Sequence, residues 1–216
     1  MAIDFQRLDK KLTAPGSPFE IEEVEIRGTT TAVWKNAFPN LRAIVEHSRQ
    51  FAALDYLVYE DQRLSYEQHY QQVITLGHAL IEQYGIKKGD RVALAMRNYP
   101  EWPVIFWATV SIGAVIVPLN AWWTGAELEY ALEHSGARLV FTDLQRAQAL
   151  TDTRGRMPTL EHIVKVRSED SPLDNIDEFG TLMTALNSGQ SLPDIAIHAD
   201  DDASIFYTSG TTGKPK

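Results

Sequence analysis

The sequence predicts an α/β fold in which a mostly parallel β-sheet carries helices on both faces. Three observations indicate this class. Short apolar segments alternate with longer segments of helical spacing from residue 91 onwards. The apolar segments are nearly continuous, which is typical of strands that are buried on both faces. Glycines and capping residues stand between the segments, so that strand, helix and strand follow each other as right-handed crossovers require.

The first part of the chain is the least informative. Residues 1–55 show a helical pattern only around residues 41–51, and prolines and a glycine near residue 16 are typical of an arm. Residues 56–65 predict a β-hairpin, because two short runs of strand-forming residues flank a polar turn. We therefore expect an N-terminal arm at residues 1–55 and an α/β domain at residues 56–216.

Capping residues divide the α/β domain into helices and strands. Ser65 with Gln68, and Thr124 with Glu127, have the spacing of capping boxes, which begin helices. Residues 102–126 contain no charged residue, but prolines and a glycine interrupt them, which favours a buried helix followed by a buried strand over a membrane-spanning helix. The strands expected in the parallel sheet are residues 91–96, 114–118, 138–142, 162–166 and 203–207.

The most distinctive segment is the polar loop that follows the last expected strand. It is rich in glycine, which lets a backbone approach a ligand closely, and in hydroxyl and ammonium groups, which bind phosphate oxygens. The loop is not a Walker A motif, because its two glycines are only three positions apart and Pro215 follows the lysine. A flexible polar tail is the alternative that composition leaves open. The residues predicted to bind phosphate are Thr208, Ser209, Gly210, Thr211, Thr212, Gly213 and Lys214.

Composition excludes several classes of function. The net charge of −9 argues against nucleic acid or an anionic membrane as the main partner. The chain has no cysteine, which excludes disulfides, thiolate zinc sites and cysteine nucleophiles. Its histidines have no ligand spacing, so we interpret them as surface or hydrogen-bonded core residues, and the acidic run 200–202 as a solvated turn rather than a metal site. Charges near the N-terminus favour a cytoplasmic location.

The segment Y-T-S-G-T-T-G-K-P-K resembles the signature of the acyl-adenylate-forming superfamily, which includes acyl-CoA synthetases, peptide-synthetase adenylation domains and luciferases. Trp122 and Trp123 depart from the pattern, because relatives more often carry a basic or small residue there, and we expect the pair to pack in the core. Further segments that are similar, in the same order, to the N-terminal portion of acyl-CoA synthetases are residues 63–68, 85–94, 98–102, 113–120 and 127–137.

The resemblance implies part of the large N-terminal domain of an ATP-dependent acyl-CoA ligase of the fatty-acid type. Such an enzyme joins a carboxylic acid to ATP, with Mg²⁺, and CoA then displaces AMP to give a thioester. Residues 208–214 match the loop that holds the β- and γ-phosphates. Two alternatives remain open: another adenylate-forming enzyme, such as a peptide-synthetase adenylation domain or an aryl-acid ligase, and a non-catalytic nucleotide-binding module.

The resemblance also has a consequence for this chain taken alone. Members of the superfamily continue well beyond this length, and their later residues carry the adenine pocket, the acyl tunnel and a C-terminal lid. We therefore expect the 216-residue chain to be an N-terminal fragment that is inactive by itself. Its residues 1–55 would normally pack on a downstream subdomain, so we expect either self-association through the surface that truncation exposes or disorder of this arm.

Overall fold

The computed structural model describes residues 4–167, 170–184 and 190–208. The chain divides into a smaller unit, Met1–Asn40 with His198–Asp200, and a larger unit, Leu41–Ile197 with Asp201–Lys216. This division falls earlier than the boundary after residue 55 that the sequence led us to expect. The packing of residues 1–55 on a downstream subdomain stays a prediction.

The smaller unit contains a helix and an antiparallel hairpin. Helix α1 is Phe5–Leu12, and strands β1, Ile21–Ile26, and β2, Thr29–Trp34, pair with each other. Arg27 and Gly28 form the turn, and both have positive φ angles, 51° and 79°. A two-residue turn of this kind matches the twist of the flanking strands, which explains a hairpin that the sequence analysis missed.

The larger unit contains most of the elements expected from the sequence, with ends that differ by a few residues. A 3-10 turn at Ser48–Phe51 follows its first helix. The helices are α2, Leu41–His47; α3, Tyr66–Glu82; α4, Glu101–Ser111; α5, Gly125–Ser135; α6, Leu144–Thr151; and α7, Phe179–Met183. The strands are β3, Asp55–Tyr59; β4, Gln62–Ser65; β5, Arg91–Ala95; β6, Val115–Pro118; β7, Leu139–Thr142; β8, His162–Lys165; and β9, Asp177–Glu178.

Strands β5 to β9 form one parallel sheet with the order β6-β5-β7-β8-β9. Successive side chains of β5 point to opposite faces: Val92 and Leu94 lie in a core cluster with α3 and α4, whereas Ala93 and Ala95 lie in a second cluster with α5. All four side chains are fully buried. Helices therefore cover both faces of the sheet, and the predicted fold class is confirmed.

Both predicted capping boxes are present. Ser65 and Gln68 exchange side-chain and backbone hydrogen bonds at the start of α3, and Thr124 and Glu127 do the same at the start of α5. The uncharged segment 102–126 forms most of α4 followed by β6, as expected. Among the residues described, no helix combines the length and apolar character needed to cross a membrane.

The last predicted strand is wrong as a full strand. Within residues 203–207 only Ser204 forms a bridge, in parallel with Ile116 of β6. Two backbone hydrogen bonds hold the segment there, from Ile116 N to the Ala203 carbonyl at 3.0 Å and from Ile205 N to the Ile116 carbonyl at 2.9 Å. Phe206 is 69% exposed, so this part of the segment lacks the burial on both faces that stabilises the central strands.

Candidate functional site

The segment that leads to the predicted phosphate-binding loop lies beside β6 and runs in the same direction. A chain that continues from the Ser204 bridge therefore leaves the sheet at the carboxyl ends of its strands, where ligands bind in parallel α/β sheets. Thr208 is the first predicted loop residue and is exposed. The other six, Ser209, Gly210, Thr211, Thr212, Gly213 and Lys214, lie outside the described residues.

The side chain of Tyr207 anchors the segment to α5. Its hydroxyl lies 2.7 Å from Nδ1 of His134 and 3.4 Å from the carbonyl oxygen of Ala131. The ring of Trp123 meets the Tyr207 ring edge to face, with centroids 6.2 Å apart. Burial raises the pKa of the Tyr207 phenol, so the hydroxyl keeps its proton at neutral pH. The residue just before the predicted loop is therefore held by a helix that packs on the sheet.

A groove of about 240 Å³ lies at the carboxyl ends of β5, β7 and β8. Three guanidinium groups line it, those of Arg97, Arg146 and Arg167. Arg146 forms a buried ion pair with Asp143 at 3.0 Å, and Arg167 pairs with Glu101 at 3.0 Å. Two of the three positive charges are therefore balanced by neighbouring carboxylates, which leaves Arg97 as the arginine of the groove that could bind an anion.

Arg97 differs from the other two arginines. Among the described residues its guanidinium forms no ion pair with a carboxylate, and it lies over the ring of Trp122, 5.1 Å from the centroid. Trp122 is 76% exposed, so the expectation that it packs in the core is wrong, whereas Trp123 is partly buried against the second core cluster. An exposed indole beside a guanidinium can stack on a flat ring and bind a nearby phosphate.

No metal site is evident in the described part of the chain, where no group of three histidine or acidic side chains has the arrangement to hold an ion. Asp201 of the acidic run 200–202 instead pairs with Lys88 at 2.6 Å.

Sequence reasoning missed two features of this edge. The sequence analysis assigned no role to His134 or Tyr207. Tyr207 directly precedes the predicted loop, and this position could have indicated that its side chain helps to hold the loop. Arg97 was also missed, and the signal there was its place immediately after a buried strand. His69 is a buried core residue, as expected, but among the described residues neither of its ring nitrogens forms a hydrogen bond of good geometry.

Comparison with known proteins identifies relatives with this fold. Residues 41–216 match the family model of AMP-binding enzymes. The crotonobetaine/carnitine–CoA ligase of Salmonella paratyphi A is 36% identical over 138 residues, which make up 63% of this chain and 26% of that protein. The chain thus spans about a quarter of the length of the curated relatives that it matches.

Solved structures with a similar fold also include CoA ligases. The anthranilate CoA ligase AuaEII in complex with anthranoyl-AMP superposes with a TM-score of 0.76 and 28% identity, covering 82% of this chain and 33% of that one. The N-terminal domain of FACL13 from Mycobacterium tuberculosis superposes with a TM-score of 0.71 and 26% identity, covering 83% of this chain and 43% of that one. The chain therefore belongs to the family of AMP-binding enzymes, the adenylate-forming ligases, and has the fold of their N-terminal domain.

Proposed function

We propose that this chain is the N-terminal part of an ATP-dependent acyl-CoA ligase. The enzyme would convert a carboxylic acid and ATP to an acyl-adenylate and pyrophosphate, and CoA would then displace AMP to form the thioester. The observation that carries the proposal is the position of Ser204–Thr208, which leads a glycine- and hydroxyl-rich loop to the carboxyl edge of the sheet in a member of this family.

In this proposal residues 208–214 bind the β- and γ-phosphates of ATP. The glycines, which have no Cβ, would let backbone N–H groups approach the phosphate oxygens and donate to them, as would the threonine hydroxyls. Lys214 would offset the negative charge that develops on the leaving pyrophosphate. Mg²⁺ would neutralise part of the same charge when it is bound with the nucleotide. The loop would position the triphosphate so that its α-phosphate is held in the orientation required for attack by the carboxylate.

We further propose that Arg97 and Trp122 contact the phosphorylated nucleotide moiety of CoA. Trp122 offers an exposed ring on which an adenine can stack, and the Arg97 guanidinium lies over that ring without a carboxylate partner in the described structure. The adjoining groove is also lined by Arg146 and Arg167, whose guanidinium groups are paired with Asp143 and Glu101. This arrangement suits a ligand that combines a flat ring with several negative charges.

For the carboxylic acid substrate of this reaction we propose a fatty acid. An aryl acid is the main alternative, supported by the similarity to the anthranilate CoA ligase, and a carnitine-like acid is supported by the curated relatives. A peptide-synthetase adenylation domain is a further alternative. We also propose a cytoplasmic location.

The first experiment measures acid-dependent ATP–pyrophosphate exchange. The protein encoded by the complete reading frame should exchange pyrophosphate with at least one acid from a panel of fatty, aryl and carnitine-like acids. The 216-residue chain alone should not, because we expect it to lack the residues that hold adenine and the acyl group. Exchange by the 216-residue chain would refute its predicted inactivity. Tight MgATP binding by that chain in calorimetry, without exchange in either protein, would favour a nucleotide-binding module.

The second experiment tests the loop. The triple variant Thr211→Ala, Thr212→Ala, Lys214→Ala should lose at least about 100-fold in exchange rate, since removal of a single preorganised donor typically costs that much. The matched control is Lys10→Ala, Thr29→Ala, Thr30→Ala, which deletes the same side-chain atoms from exposed positions of α1 and β2. A triple loop variant that is as active as this control would refute the assignment.

A further inference from the structure

The segment between the sheet and the phosphate-binding loop has two anchors. One is the backbone hydrogen bond from Ile205 N to the Ile116 carbonyl at 2.9 Å. The other is the side chain of Tyr207, whose neighbour in the chain is Thr208, the first residue of the loop. Because the peptide unit that joins these two residues is planar and stiff, a shift of Tyr207 moves Thr208 with it.

Among the polar neighbours of the Tyr207 hydroxyl, which also include Ser135 and the Ala131 carbonyl, His134 forms the shortest hydrogen bond. The distance of 2.7 Å between its Nδ1 and the Tyr207 hydroxyl is typical of a well-formed hydrogen bond, whereas the 3.4 Å to the Ala131 carbonyl is long. The imidazole is itself oriented by Tyr130, which stacks on it with an interplanar angle of 14° and a centroid separation of 5.5 Å. The partner of Tyr207 is therefore preorganised rather than freely rotating.

Helix α5 gives this contact a fixed frame. A capping box begins the helix at Thr124, and Gly136 ends it in a left-handed conformation. Between these ends Leu128, Ala131 and Leu132 are fully buried against the sheet. The hydrogen bond thus connects the start of the loop to an element that cannot shift without disturbing the core.

We propose that His134 is a positioning residue for the phosphate-binding loop and acts through the hydroxyl of Tyr207. The inference rests on the proposed function, and it adds to the phosphate-binding loop a residue that lies outside the loop itself. Loss of the hydrogen bond should raise the KM for ATP about 3- to 10-fold, the range that the net contribution of one hydrogen bond implies. The KM for the acid should not change, because the acyl group binds elsewhere.

The test uses the protein from the complete reading frame in ATP–pyrophosphate exchange, with KM for ATP, KM for the acid and Tm measured for each variant. His134→Phe keeps a ring to stack on Tyr130 but removes Nδ1, and Tyr207→Phe removes only the hydroxyl. His134→Asn places an amide near the position of Nδ1 and is the conservative replacement. Tyr66→Phe deletes a phenol hydroxyl from α3, which does not contact His134 or Tyr207, and is the matched control.

The proposal requires four results together. Both single phenylalanine variants raise the KM for ATP alone, their double variant is no worse than either, His134→Asn stays near wild type, and Tyr66→Phe has no effect. Unchanged KM for ATP in an active enzyme, additive effects in the double variant, or equal rises in both KM values with a lower Tm would overturn this inference and leave the proposed function standing. A wild-type protein without exchange overturns both.

Discussion

His69 makes the stability of this fold sensitive to mild acid. The side chain is 1% exposed on α3, its ring lies 4.2 Å from the ring of Tyr56, and neither nitrogen has a hydrogen-bond partner. Burial lowers the pKa of the imidazole from 6.5 to about 4, and the nearby Pro103 carbonyl offsets only part of this effect. The folded protein therefore resists protonation at a site that protonates readily once the chain unfolds.

The sign and size of the effect follow from proton linkage. Between pH 6.5 and about pH 4 the unfolded chain binds the proton and the folded chain does not, so the free energy of unfolding falls as the pH falls through this window. The full loss is about 3 kcal/mol at 1.36 kcal/mol for each pH unit, and about 2 kcal/mol of it is already present at pH 5. For a chain of this size the pH 5 value corresponds to a Tm lower by about 4–8 °C.

The assay is urea unfolding of the 216-residue chain at pH 7.5 and pH 5, followed by circular dichroism. Carboxylates also titrate here, so the informative quantity is the difference between wild type and His69→Phe, which fills the same space without a titrating group. His69→Phe should lose about 2 kcal/mol less than wild type on acidification. His47→Gln, at an exposed position of α2, is the matched histidine deletion. Equal acid sensitivity in wild type and His69→Phe would refute the reasoning.

Three substitutions test the packing around the sheet by the same urea assay. Gly136→Ala should lower the free energy of unfolding by about 1–2 kcal/mol, because φ is +64° and a Cβ would lie 2.7 Å from Nη2 of Arg91. An unchanged free energy of unfolding would show that this turn relaxes without strain. Lys165→Met should cost about 3 kcal/mol, since the fully buried ammonium pairs with Glu178 at 2.8 Å, and adding Glu178→Gln should recover part of the loss. Thr124→Ala should cost about 1 kcal/mol through the lost cap of α5, whereas an unchanged midpoint would mean that packing alone holds that helix end.

Elements defined by local chemistry were predictable. The capping boxes at Ser65 and Thr124 depend on side chains only three residues apart, and the structure has both. The continuous apolar strands were equally clear, because residues 92–95 of β5, buried between two layers of helices, are all apolar. These two signals were enough to predict the fold class and most helix and strand positions.

Features that depend on distant partners were not predictable in the same way. The last expected strand has the composition of a strand, but it pairs with β6 only at Ser204. Trp122 has the large apolar side chain of a typical core residue, yet it is exposed beside Arg97. In both cases the outcome depends on which neighbours the fold supplies, and a side chain's apolar character does not specify them.

The sequence by itself determined the fold class, the positions of the helix caps and the family signature in residues 208–214, because each depends on residues close together in the chain. Only the tertiary structure decided what holds the start of that loop. Tyr207 and His134 are 73 positions apart, and their hydrogen bond exists because α5 and the segment after Ser204 pack at the same edge of the sheet. No local pattern encodes a contact of that range.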